Sequence, residues 1–271
     1  MSSLFDITGK VIAITGASGV LAGSTAMYLA EQGATLILID RNTDRMNQLH
    51  DRLTPTKTTH LAITTDVTDH ASVESAFDRS MERFNRVDAL INGAGGNMPG
   101  ATVGPDQSIF DLKIEDYRNA IDLNLMGSVL PTMIFAKAFA KQRTGSVLNF
   151  SSMTADRAIT RVPAYSNAKA AIDNFTRWMA VEAARSFGDQ VRVNAIAPGF
   201  FISNQNRHLL TNEDGSYTER GQSVIAGTPF GRFGKTDEVH GTIHYLISDA
   251  ARFVTGAVIP VDGGFSAFSG V

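Results

Sequence analysis

The sequence predicts an α/β chain: a seven-stranded parallel sheet, doubly wound, with helices on both faces. Three observations predict it. Seven short runs are nearly continuously apolar, as strands covered on both sides are. They alternate with longer stretches of helical periodicity. A glycine-rich turn joins the first strand to the first helix, where such sheets bind their ligands. The strand runs are 10–15, 35–40, 60–64, 87–92, 145–150, 191–197 and 256–261; helical periodicity occupies 20–32, 44–53, 70–83, 114–141, 165–187 and 236–248. Two connections, about 93–112 and about 203–233, exceed ordinary lengths and suit lids or substrate walls.

Composition bounds the function. The 271 residues are expected to form one domain, with 43% hydrophobic residues for its core and 19% charged. A net charge of −3 gives no basic excess for nucleic acid or an anionic membrane surface. The absence of cysteine excludes disulfides, thiolate catalysis and Cys-ligated metals. No basic flank with an apolar core opens the chain, and no run of about 18 apolar residues occurs, so a cytoplasmic protein is expected. Six histidines offer one helical pair, His240 and His244, and no metal site is expected.

In chain order, the first strand ends at Thr15 and passes through Gly16, Ser18 and Gly19 into a helix opening with Val20 and Leu21. Backbone N–H groups and a helix dipole there can meet a pyrophosphate. Asp40 ends the second strand, where a carboxylate would bond ribose hydroxyls and favour NAD; the adjacent Arg41 could instead pair with the 2′-phosphate of NADP. Asp66 and Val67 close the third strand, and Asp66 suits either a nucleotide contact or a helix N-cap. Asn92, Gly93, Ala94 and Gly95 close the fourth, letting backbone approach a flat nucleoside. The fifth strand leads to Ser152, and 13 residues later Tyr165 and Lys169 stand at i, i+4 on one helix face. A cation beside a phenol lowers its pKa from near 10; a shift of three units takes about 4 kcal/mol.

Taken together, Thr15-Gly16, Asp66, Asn92-Gly93-Ala94-Gly95, Asn124, Ser152, Tyr165-x-x-x-Lys169, Pro198-Gly199 and Val261-Asp262-Gly263-Gly264 resemble, in order and spacing, the short-chain dehydrogenase/reductase family, with its Rossmann fold. The resemblance implies that Tyr165 is the general acid/base, that Ser152 holds the substrate oxygen, and that Lys169 binds the nicotinamide ribose while lowering the Tyr165 pKa. It implies that Asn124 anchors the water of a proton relay. The run Pro198, Gly199, Phe200, Phe201, Ile202, Ser203 is similar to the family's carboxamide clamp, with Ser203 where Thr is more frequent. The glycine turn departs from the family pattern: its second glycine falls one place early and its third is Ala22. In this family the Tyr165 helix and its neighbour commonly build a dimer interface, so a homodimer or homotetramer is implied.

The Gly-Val-Leu turn, the Gly95-Gly96-Asn97 extension, the 198–207 stretch and the tail from Val261 resemble a subgroup of D-mannonate oxidoreductases, or fructuronate reductases. A sugar acid needs hydroxyl partners and a cation for its carboxylate. Asn97, Thr154, Arg157, Asn204, Gln205, Asn206 and Arg207 are the candidates, with Arg207 first and Arg157 second for the carboxylate. The expected activity is hydride transfer between nicotinamide and a carbonyl or secondary alcohol. Gluconate-type sugar dehydrogenases, 3-oxoacyl thioester reductases and a non-catalytic nucleotide sensor are the rival readings.

Overall fold

The computed structural model describes residues 3–203 and 206–270. Among them, β1 (Val11–Thr15), β2 (Thr35–Asp40), β3 (His60–Thr64), β4 (Ala89–Asn92), β5 (Gly145–Phe150), β6 (Val191–Pro198) and β7 (Val258–Val261) form one sheet in the order β3-β2-β1-β4-β5-β6-β7. All strand pairings of this sheet are parallel. The strand order reverses at β1, so a crevice opens at the carboxyl ends of β1 and β4, where Thr15 pairs with Asn92 and Asn92 with Asn149.

The helices are α1 (Val20–Glu31), α2 (Thr43–Leu53), α3 (His70–Phe84), α4 (Ile114–Ile121), α5 (Gly127–Gln142), α6 (Pro163–Ser186), α7 (Arg207–Leu210), α8 (Glu219–Ala226) and α9 (His240–Ile247). The pleat sorts each strand between two cores: Ile12, Ile14, Leu36 and Leu38 pack with α1 and α9, whereas Val11, Ala13, Ile37 and Ile39 pack on the side of α3, α5 and α6.

Three boundaries differ from expectation. The single helix expected over 114–141 is interrupted by a π-helical turn, Asp122–Met126, between α4 and α5. The helix expected from 165 begins at Pro163, whose missing N–H costs nothing in a first turn. The last expected helix opens as a 3₁₀ turn, Thr236–Val239, before α9. The stretch Ile114–Gln142 holds a window with mean hydropathy 1.3, long and apolar enough by composition to cross a membrane, but 56% of that window is buried within the fold. Its apolarity serves the core.

Candidate active site

The glycine turn meets the strand ends through contacts that only glycine permits. Gly16 has φ 63°, and a Cβ there would stand 2.6 Å from Ala94 Cα. A Cβ on Gly93 would stand 2.9 Å from Thr15 O. Ala94 N–H donates to Thr15 Oγ1 at 3.3 Å, closing the β1 and β4 turns against each other. Gly19 caps α1 with no side-chain bond, and no acidic residue lies in the first turn, so the helix N-terminus presents backbone donors without an internal anion. That matches what a pyrophosphate requires.

Asp40 folds back on this turn: its Oδ2 accepts from Ser18 N at 3.0 Å and from Ser18 Oγ at 2.7 Å. Arg41 is exposed. Asp66 does not cap the following helix. Asp69 does, accepting from Ser72 N, while Asp66 Oδ1 accepts from the N–H and hydroxyl of Thr68, bonds that lower its carboxyl pKa. Val67 is buried against the position of Gly127. Asn92 turns its amide inward, donating to Thr132 Oγ1 at 2.8 Å and Asn149 Oδ1 at 2.9 Å, which makes its side chain a staple between β4, β5 and α5 and leaves the expected approach to a nucleoside to the backbone.

Helix α6 presents Tyr165, Lys169 and Asp173 at successive i, i+4 positions. Lys169 is 3% exposed, and its Nζ donates to Phe150 O at 2.7 Å and lies 5.4 Å from the Tyr165 ring centroid. Burial lowers the ammonium from 10.5 to about 8, and the negative charge of Asp173 acts against that fall. Asp173 accepts from the Ser151 hydroxyl, and burial raises its carboxyl pKa despite that bond. The phenol of Tyr165 is shifted upward by burial, opposed by a hydrogen bond with Ser152. Among the chain's own groups burial thus outweighs the lowering expected from Lys169, whose ammonium is bonded to the Phe150 carbonyl; the expected lowering also draws on the charge of an oxidised nicotinamide ring.

Asn124 sits fully buried in the π turn, with Nδ2 donating to Gly96 O and Ala120 O, both at 2.8 Å, and Oδ1 accepting from Gly96 N at 2.9 Å. Its side chain is therefore committed to clamping the loop after β4. These bonds engage the side chain alone and leave the expected anchorage of a relay water to the backbone of the π turn.

One cavity of about 670 Å³ joins these parts. Of the expected residues, Ser18, Gly19, Val20 and Leu21 line it at α1, and Gly93, Gly95 and Asn97 after β4. Ser152, Thr154, Tyr165 and Lys169 form the β5–α6 wall; Pro198, Gly199, Phe201 and Ser203 follow β6. Ser152 Oγ accepts from Thr154 N at 3.2 Å, and the buried Thr154 Oγ1 has no hydrogen-bond partner among the described residues.

The substrate candidates divide. Asn206 lines the cavity but folds its own loop, with Oδ1 accepting from Ser203 N at 2.7 Å and Nδ2 donating to Phe201 O at 2.8 Å. Arg157 is exposed and donates to Ser266 O of the C-terminal turn, and Arg207 is an exposed first residue of α7; neither lines the cavity. Asn204 and Gln205 lie outside the described residues. Three arginines that no motif marked do line the cavity: Arg45 and Arg52 of α2, both exposed, and the half-buried Arg220 of α8. Asp173 was also missed, although it extends the Tyr165–Lys169 spacing by one more turn. Among the described residues no group of three His, Cys, Asp or Glu could hold a metal; His240 and His244 bond Ser24 and Tyr28 of α1.

A family model described as enoyl-(acyl carrier protein) reductase matches residues 16–266. The chain belongs to the short-chain dehydrogenase/reductase family. It is a nicotinamide-dependent oxidoreductase acting on alcohol or ketone groups. It is 42% identical to "Uncharacterized oxidoreductase UxuB" of Bacillus subtilis (strain 168), over 98% of each chain. It is 28% identical to 2-dehydro-3-deoxy-D-gluconate 5-dehydrogenase of Dickeya dadantii (strain 3937), covering 97% of this chain and 98% of that one. A solved structure from Haemophilus influenza, of a protein provisionally described as a D-mannonate oxidoreductase and holding NAD, superposes with TM-score 0.90 at 39% identity, covering 99% of this chain and 100% of that one.

Proposed function

We propose that this enzyme interconverts a ketone and a secondary alcohol on a sugar acid of the D-fructuronate/D-mannonate class, with NAD(H) as cofactor. The observation that carries the reaction chemistry is the convergence of Ser152, Tyr165 and Lys169 on the cavity that also contains the uncapped start of α1. The substrate class draws support from the provisional description of the Haemophilus relative and from the polar groups that Thr154 and Asn97 contribute to the wall. Asp40, placed at the end of β2 beside the glycine turn, supports NAD over NADP.

When bound, NADH supplies the hydride that becomes the new C–H bond. Tyr165 gives its phenolic proton to the carbonyl oxygen as that oxygen gains the electron pair of the broken π bond. Its upward-shifted pKa keeps that proton in place at neutral pH. Ser152, hydrogen-bonded to the phenol, orients the substrate oxygen and stabilises charge developing on it. Lys169 places a positive charge beside the phenolate left behind. Gly16, Gly93 and Gly95 let the backbone approach the dinucleotide, and Pro198, Gly199, Phe201 and Ser203 form the wall suited to its nicotinamide end. Exposed Met133 on α5, and Trp178 and Val181 on α6, support assembly through those helices as a homodimer or homotetramer.

Absorbance of reduced nicotinamide, followed with sugar acids, polyols and a 3-oxoacyl thioester against both NADH and NADPH, tests this reading. Sugar acids with NADH are expected to turn over fastest. Tyr165→Phe should lower kcat by about 10²- to 10⁴-fold with dinucleotide affinity unchanged. Near-normal turnover by that variant sinks the mechanism, and preference for the thioester sinks the substrate class.

A further inference from the structure

Arg220 stands apart from Arg45 and Arg52, the exposed arginines of the same cavity, because its charge is half-buried and has no internal counterpart. Its guanidinium donates to Thr160 Oγ1 at 3.1 Å and to Thr160 O at 3.4 Å, both neutral acceptors. No ion pair among the described residues includes it. The residue after Thr160 is Arg161, so a second positive charge follows at once along the chain. Arg161 takes φ 78°, a conformation disfavoured for a residue with a side chain, and its carbonyl accepts from Val103 N at 2.8 Å. Partial burial and the charge of Arg161 both lower the Arg220 pKa from its ordinary value. An uncompensated, partly buried guanidinium is unfavourable unless something else supplies an anion.

Location fixes what that anion can be. Arg220 lines the same cavity as Ser152, Thr154 and Tyr165, and it lies on α8, in the long connection after β6. Its bonds to Thr160 tie it to the segment that runs from Ser152 to Tyr165. We propose that Arg220 receives the substrate's carboxylate through its two-pronged guanidinium edge, with Arg161 adding to the local positive potential. This rests on the sugar-acid reading and deepens it, replacing Arg157 and Arg207, which do not line the cavity. The unpartnered Thr154 Oγ1 is suited to a hydroxyl of the same substrate.

The experiment is steady-state kinetics with NADH on D-fructuronate and on its neutral counterpart D-fructose, for wild type, Arg220→Met and Arg220→Lys. Arg220→Met is expected to lower kcat/KM for the acid by about 10- to 100-fold, mainly through KM, and to leave the neutral sugar within about threefold. Arg220→Lys should recover part of the loss, since it keeps the charge without the fork. NADH affinity should be unchanged in both variants. Equal losses on both sugars would show that Arg220 only holds α8 against Thr160, and no loss on either would equally overturn the assignment. A wild type without preference for the acid overturns the sugar-acid reading and this inference with it. A wild-type preference that survives in Arg220→Met overturns the inference alone.

Discussion

Lys169 is where function and stability conflict most directly, and Lys169→Met measures the conflict. An ammonium displaced from 10.5 to about 8 is disfavoured in the folded chain by about 3 kcal/mol at neutral pH. The residue is 3% exposed, so solvent screening does little to reduce that figure. Methionine has similar reach and no charge. Its cost is the charge-assisted bond to Phe150 O, worth about 1.5 kcal/mol. The balance favours the variant by about 1.5 kcal/mol, which is a rise of about 3–6 °C in Tm for a chain of this size.

The pH dependence separates this cause from better packing. The folded chain binds fewer protons than the unfolded one between about 8 and 10.5, so the wild-type penalty is complete below about pH 8 and fades as pH rises toward 10.5. Thermal unfolding without dinucleotide, run at intervals from pH 6.5 to 9.5, should show the variant melting higher at pH 7 and the gap closing to about zero by pH 9.5. Catalysis should be lost throughout. A variant that melts lower than wild type at pH 7, or a gap that stays constant across the range, would refute the claim that a buried charge sets the difference.

Two further outcomes follow from the same wall. Asp173→Asn removes the negative charge that supports protonation of Lys169, so the alkaline limb of kcat/KM for reduction should move to lower pH, with Asp173→Glu restoring it; an unmoved limb would leave Asp173 a packing residue. Gly95→Ala would place a Cβ 2.7 Å from Asn124 Oδ1 and 3.4 Å from Lys169 Nζ. Because three hydrogen bonds hold Asn124, kcat should fall by at least about tenfold while Tm stays within a few degrees, as kinetics and melting together would show.

The doubly wound sheet was legible because its strands are buried on both faces and therefore read as apolar runs. Its strand ends were legible because Gly16, Gly93 and Ser152 follow them closely, and the Tyr165–Lys169 spacing marked one face of α6. The π turn was not, since residues 122–126 continue the helical pattern on either side, and only the clamp of Asn124 on Gly96 shows why the ladder shifts there. Asp66 and Asp69 are equivalent on paper; three-dimensional placement alone decides which caps α3. What the chain's own groups do to Tyr165 was not legible for a related reason. Spacing shows that a cation is near, but not that the cation is bonded elsewhere or that the phenol is desolvated. Arg220 was invisible because a substrate-facing arginine and a solvated one look alike until the loop carrying them is folded.

The two opposite shifts on α6 share a cause. Burial disfavours whichever form is charged, raising Tyr165 and lowering Lys169, so the site holds a protonated phenol beside an ammonium that is only marginally retained. The same desolvation strengthens what each group can do to a reacting carbonyl, because a hydroxyl or cation aimed at a developing oxyanion counts for more where water does not compete. Asp173 and the Phe150 carbonyl then act as the compensation that keeps Lys169 charged in its buried position. A more exposed Lys169 would be more stable and less useful, since its field at Tyr165 would be screened. The instability of that buried charge is thus a direct consequence of the placement that the chemistry requires.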